Sequence, residues 1–109
     1  MRSSPERAPA GDEPSLRFDV AAERELNEAV DFFELESPGL GDVFLAEIER
    51  ALTQIAAFPE AAESLPHGVR RRLLHTFPYA LLYSLRTDEV RILAVAYQRR
   101  RPFYWEDRR

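Results

Sequence analysis

The sequence predicts an α+β domain: a helical hairpin packed on a small antiparallel sheet, in the order β-α-α-β-β-β. Three observations carry that prediction. Two stretches with a helical apolar period stand side by side, parted only by Ser37-Pro38-Gly39. The second half then changes to alternation and short apolar runs. Helices followed by strands, rather than strict alternation of the two, argue for helices gathered on one side of an antiparallel sheet.

Residues 1–15 hold three Pro and one large apolar residue, Met1, and are expected to form a disordered tail ahead of a domain spanning 16–109. Leu16, Phe18 and Val20 alternate with Arg17 and Asp19, the pattern of a short strand. Ala22, Leu26, Val30 and Phe33 then share one helical face from about Ala21 to Glu36, with Asp19 as the N-cap. Ser37 is expected to cap a second helix with Pro38 at its first position. Leu40, Phe44, Ile48, Leu52 and Ile55 form its stripe, while Glu47, Glu49 and Arg50 lie off it on a solvated face. The break is short, so the helices should run antiparallel. Pro59 to Gly68 reads as a loop. Three strands follow: Val69 to Phe77, Tyr79 to Leu85 and Val90 to Tyr97. Pro78 marks a bend and Thr87-Asp88-Glu89 a hairpin turn. The last strand is apolar on both faces, as a central strand would be.

Composition narrows the functional classes. There is no cysteine, hence no disulfide framework, thiolate metal site or thiol nucleophile, which fits a reducing cytoplasm. No apolar run approaches the roughly 20 residues of a membrane span. No phosphate-binding glycine loop or zinc-protease motif is present, and two His are too few for a metal site, so neither cofactor, metal nor small-molecule substrate is expected. The net charge of −4 is unevenly laid out. Residues 1–66 carry five Arg against fifteen carboxylates, and residues 67–109 carry ten Arg against four. Two such halves can face different partners.

Several segments bear a family likeness. Ala29-Val30-Asp31-Phe32-Phe33 precedes Ser37-Pro38-Gly39-Leu40-Gly41. Phe77-Pro78-Tyr79 leads into a strand holding Tyr83. An acidic turn, Ile92-Leu93-Ala94-Val95-Ala96, then Arg99-Arg100-Arg101-Pro102 with Trp105 follow. In this order, over residues 16–108, they resemble the RelE/ParE toxins of bacterial type II toxin–antitoxin systems, often called plasmid stabilisation proteins. The resemblance implies a RelE/ParE-like fold and a growth-inhibiting toxin neutralised by a cognate antitoxin. It leaves two modes of action open. RelE-like members cut mRNA on the ribosome, and ParE-like members inhibit DNA gyrase.

RNA cleavage without a metal needs a base, cations for the phosphate and an acid for the leaving oxygen. Many RelE-like nucleases carry an Arg directly after the tyrosine that corresponds to Tyr79. This chain has Ala80 there. The remaining nuclease candidates are Arg71, Tyr97, Arg100 and Tyr104, with His75 as a further acid–base group. Tyr97 often corresponds to a His in relatives. The set is incomplete and the chain is acidic overall, which favours a non-enzymatic toxin acting on a protein target such as gyrase. For that reading the candidates are Arg99, Arg100, Arg101 and Tyr104, because Arg and Tyr often dominate binding energy. A ribosome-dependent endoribonuclease is the alternative, and a degenerate toxin that only binds its antitoxin is a third reading. Trp105 is expected to dock on the core. Arg70-Arg71-Arg72 reads as a charged strand edge that discourages pairing.

Overall fold

A computed structural model of the chain describes residues 14–109. Of the expected tail, only Pro14 and Ser15 fall within the described residues. The elements are β1 (Ser15–Phe18), α1 (Val20–Glu36), α2 (Leu40–Ala57), β2 (Glu63–Leu65), β3 (Val69–Leu73), β4 (Tyr79–Leu85) and β5 (Glu89–Tyr97). Short 3-10 turns occupy Pro66–Gly68 and Glu106–Arg108. The sheet order is β1-β5-β4-β3-β2. The architecture is α+β with a helical hairpin on one face of the sheet, as the sequence predicts.

Two features of the sheet differ from expectation. It is mixed, because β1 runs parallel to β5 while all other pairs are antiparallel. It also has a fifth strand, β2, inside the stretch read as a loop. β2 is three residues long and gains its strand character from β3, pairing Glu63 with Arg71 and Leu65 with Val69. The arginine run is therefore not an edge. Arg70 donates to the carbonyls of Glu60 and Ala62, tying down the chain before β2. Arg71 binds Glu63 through Nε at 3.0 Å and Nη2 at 2.7 Å.

The hairpin forms for local reasons. Asp19 Oδ1 accepts the N–H of Ala21 at 2.8 Å, capping α1 as predicted. Ser37 does not cap α2. It ends α1 instead, donating its N–H to Phe33, and α2 begins after Gly39, whose φ of 89° suits glycine. The cap of α2 comes from α1: Glu34 accepts the N–H groups of Gly39 and Gly41 at 2.9 and 3.1 Å. A carboxylate placed there also favours the helix dipole.

The sheet is covered on both faces. Against the helices, Phe44, Ile48 and Ile55 of the predicted stripe meet Leu81, Tyr83, Val90 and Ile92. Phe44 packs edge-on to Phe77 and Tyr79 at 5.0 and 5.2 Å between ring centres. On the far face Val69, Ala80, Leu82, Leu93, Ala94 and Ala96 lie with Trp105. This double cover explains why β5 is apolar on both sides.

A bulge in β5 decides which residues face which layer. Leu82 opposes Ala94 and Tyr83 opposes Ile92, so Leu93 has no partner. Beyond it the alternation reverses. Ala94 and Ala96 join the far-face cluster and Val95 joins the helix-side core. Tyr97 pairs with Tyr79, and residues directly opposite share a face. Its ring therefore stands on the helix side, 5.5 Å from that of Tyr79.

Candidate functional site

The far face is finished by the segment after β5, which folds back across the sheet. Arg100 N–H returns to Tyr97 O, and Tyr104 N–H to Arg101 O. Phe103 has a positive φ of 59°, unusual for a residue with a Cβ, and turns the chain so that Trp105 enters the core at 5% exposure. Trp105 thus docks as the sequence suggests.

The segment is held at its end by a clasp. Arg108 Nη1 donates to Glu25 Oε1 at 3.0 Å and to Leu93 O at 3.1 Å. The same Glu25 oxygen accepts the N–H of Val95 at 3.0 Å. Arg100 approaches Glu25 at 3.9 Å and lies over the Tyr104 ring at 4.0 Å from its centre. Arg108 lies 5.1 Å from the centre of the same ring. The Tyr104 hydroxyl is buried without a hydrogen-bond partner. Burial raises its pKa above the phenolic value, and the charge of Glu25 raises it further.

Between this segment, β3 and β4 lies a cavity of about 330 Å³. Arg71, Arg100, Arg101 and Tyr104 border it, together with Phe103 and Trp105. Tyr97 touches it too, but the bulge turns its ring to the other side of the sheet. Arg99 is exposed and outside the lining. His75 does not lie in the strand expected over Val69 to Phe77: β3 ends at Leu73, and His75 is exposed in the bend that follows. It borders a separate hollow of about 120 Å³, with Arg50, Arg72 and Glu47.

Glu47 is the site residue that sequence reasoning missed. It is 5% exposed rather than solvated, and its carboxylate accepts the N–H groups of His75 and, at 3.1 Å, Thr76. Burial pushes its pKa up, but the two backbone donors outweigh burial and the net shift is downward. Only the position of Glu47 one residue before Ile48 of the buried stripe hinted at this.

Arg71, Tyr97, Arg100 and Tyr104 all border the far-face cavity, whereas His75 lies at the other hollow. Arg71 pairs with Glu63, the Tyr97 ring stands against Tyr79, and Ala80, at 3% exposure, sits in the far-face cluster with Trp105. Among the described residues no group of His, Asp and Glu is placed to hold a metal ion.

The family model for the ParE toxin of the type II toxin–antitoxin system parDE matches residues 16–102. The chain belongs to the ParE toxin family. The fold agrees with a solved structure of the chromosomal ParDE TA system from P. aeruginosa. The TM-score is 0.68 at 19% identity, over 77% of this chain and 95% of that one. No curated protein matches the sequence. The protein is thus a ParE-type toxin of a type II toxin–antitoxin system, and this membership implies an antitoxin partner. The family match ends at Pro102, so Trp105 and Arg108, which close the far face, lie beyond it.

Proposed function

We propose that this ParE-type toxin arrests growth by binding a protein target, DNA gyrase, without cleaving RNA, and that a cognate antitoxin neutralises it. The observation that carries this reading is Ala80, buried with Trp105, at the position where many RelE-like nucleases carry an arginine. A preorganised charge beside a scissile phosphate is worth on the order of a hundredfold or more in rate. Of the arginines that border the same cavity, Arg71 pairs with Glu63 and Arg100 lies over the Tyr104 ring beside Glu25. A protein target requires only a few anchoring side chains, and Arg99 to Arg101 are exposed together just after β5. The Tyr104 ring serves as the platform under Arg100. Neutralisation by an antitoxin is supported by apolar residues left open around the hairpin turn: Phe32, Leu35 and Val43 are all more than half exposed. Such partners imply action in the cytoplasm, and no helix among the described residues is long and apolar enough to cross a membrane.

The test has two arms. Purified toxin should inhibit gyrase supercoiling, and substituting Arg99, Arg100 and Tyr104 by Ala should relieve growth arrest while antitoxin binding persists. Primer extension on mRNA from arrested cells should show no toxin-dependent cuts. New cuts at ribosomal positions would establish the nuclease instead.

A further inference from the structure

We propose that the far-face cavity is a docking site for an acidic peptide segment of a protein partner, which inserts one large apolar side chain between Leu73 and Phe103. This rests on the reading of the chain as a protein-targeting toxin and supplies the chemistry of the target segment. The cavity, about 330 Å³, falls at the lower end of the range for ligand pockets. Its floor is aliphatic, formed by Ala80, Leu82 and Ala96. Two large apolar side chains flank it and remain open, Leu73 at 52% exposure and Phe103 at 46%. Phe103 is held there by a left-handed backbone that a residue with a Cβ adopts at a cost, a kind of outlier that gathers at ligand sites.

The charge around the cavity selects the partner. Arg71, Arg100 and Arg101 stand on its border. Glu63 engages Arg71 and Glu25 approaches Arg100, but Arg101 has no ion pair among the described residues. Residues 67–109 as a whole carry ten Arg against four carboxylates. Acidic side chains on either side of an apolar anchor would complement this rim. A nucleic acid fits less well. Bases stack on open ring faces. Here Trp105 is buried and Tyr104 lies beneath Arg100, so of the rings of the segment after β5 that border the cavity only Phe103 keeps an open face, where a run of bases needs several.

Trp105 is the only tryptophan of the chain and lines the cavity, so its emission reports occupancy. The full chain is titrated with a short acetylated peptide carrying one Phe between Asp and Glu residues. The same peptide with Ser for Phe, a version with Lys for the acids, and a single-stranded oligonucleotide serve as comparisons. The acidic Phe peptide alone should change the emission saturably. Arg101→Glu and Leu73→Asp alter exposed residues and should weaken binding roughly tenfold or more, with unchanged circular dichroism. No saturable change in the folded native chain would overturn the proposal. So would equal binding of the Ser peptide, and binding of the oligonucleotide in preference would point to nucleic acid. Growth arrest by the native chain is scored separately. Arrest without peptide binding removes the docking site and leaves the toxin reading standing, whereas peptide binding without arrest removes the toxin reading and keeps the site.

Discussion

Glu25 and Arg108 lie 83 positions apart and meet at 3.0 Å, joining the first helix to the last turn of the chain. Glu25 is 11% and Arg108 19% exposed at the side chain, so the pair is largely removed from water. Among the described residues the outer edge of β5 has no neighbouring strand beyond β1, and this pair satisfies its backbone by binding Val95 N–H and Leu93 O. Removing one member of a buried pair costs about 3–5 kcal/mol when the other charge stays buried. Residual exposure lowers this to about 2–3 kcal/mol here. Glu25→Ala should therefore shift the urea midpoint clearly downward, and more than Arg108→Ala, because it removes the partner of both Arg108 and Arg100, whereas Arg108→Ala leaves Glu25 beside Arg100. Equal, negligible losses in both variants would show that the clasp is ornamental.

Gly41 sits at a close approach of the two helices. A Cβ built there would stand 2.8 Å from Val30 O and 3.0 Å from Glu34 Oε1. Alanine is favoured over glycine inside a helix by about 1 kcal/mol, but the clash is with backbone that cannot swing aside. Overpacking of this sort costs about 1–3 kcal/mol. Gly41→Ala should be destabilising on thermal unfolding, whereas a gain in melting temperature would mean that the hairpin opens freely at its turn.

Acid should loosen the bend between β3 and β4. The Glu47 carboxyl titrates below its ordinary value of 4.5 in the folded chain. A group with a depressed folded pKa adds stability that is complete above the unfolded pKa and disappears as pH falls through the folded one. Stability should thus fall on acidification below about pH 4.5, and Glu47→Gln should flatten that part of the profile. Parallel pH profiles for the two proteins would exclude Glu47 as the source.

We expect residues 1–12 to add little to stability, since Met1 is their only large apolar side chain. Deleting them should leave the melting temperature close to that of the full chain. A large drop would reveal contacts between this segment and the domain.

Periodicity made the helices, β1, β4 and β5 legible, because each buries a face whose spacing is written locally. Asp19 was legible for the same reason: a cap acts two residues away. What escaped depends on distant partners. β2 has no apolar pattern of its own and exists through β3. The parallel pairing of β1 with β5 joins segments some seventy residues apart. The bulge at Leu93 is invisible in a run that is apolar on both faces, and it turns the Tyr97 ring toward Tyr79 on the helix side. Of the candidate site, Arg71, Arg100, Arg101 and Tyr104 gather as a basic-aromatic cluster read from the sequence would suggest. The burial of Glu25 and Glu47 could not be read, because a carboxylate on a helix is ordinarily solvated.

The pairing of β1 with β5 also sets an order of events during synthesis. Among the described residues, Leu16 to Phe18 find their strand partners in Val90 to Ile92. While the ribosome makes the intervening chain, at ~5–20 residues per second, the first strand waits with an unpaired backbone. The helical hairpin can form early, since its contacts are local, but the sheet that covers its apolar stripe is completed only by the last strand. The basic segment and Trp105 come later still. A nascent chain therefore remains without its arginine surface until residues 99–101 have been made, so the surface proposed above for target binding is among the later parts to form.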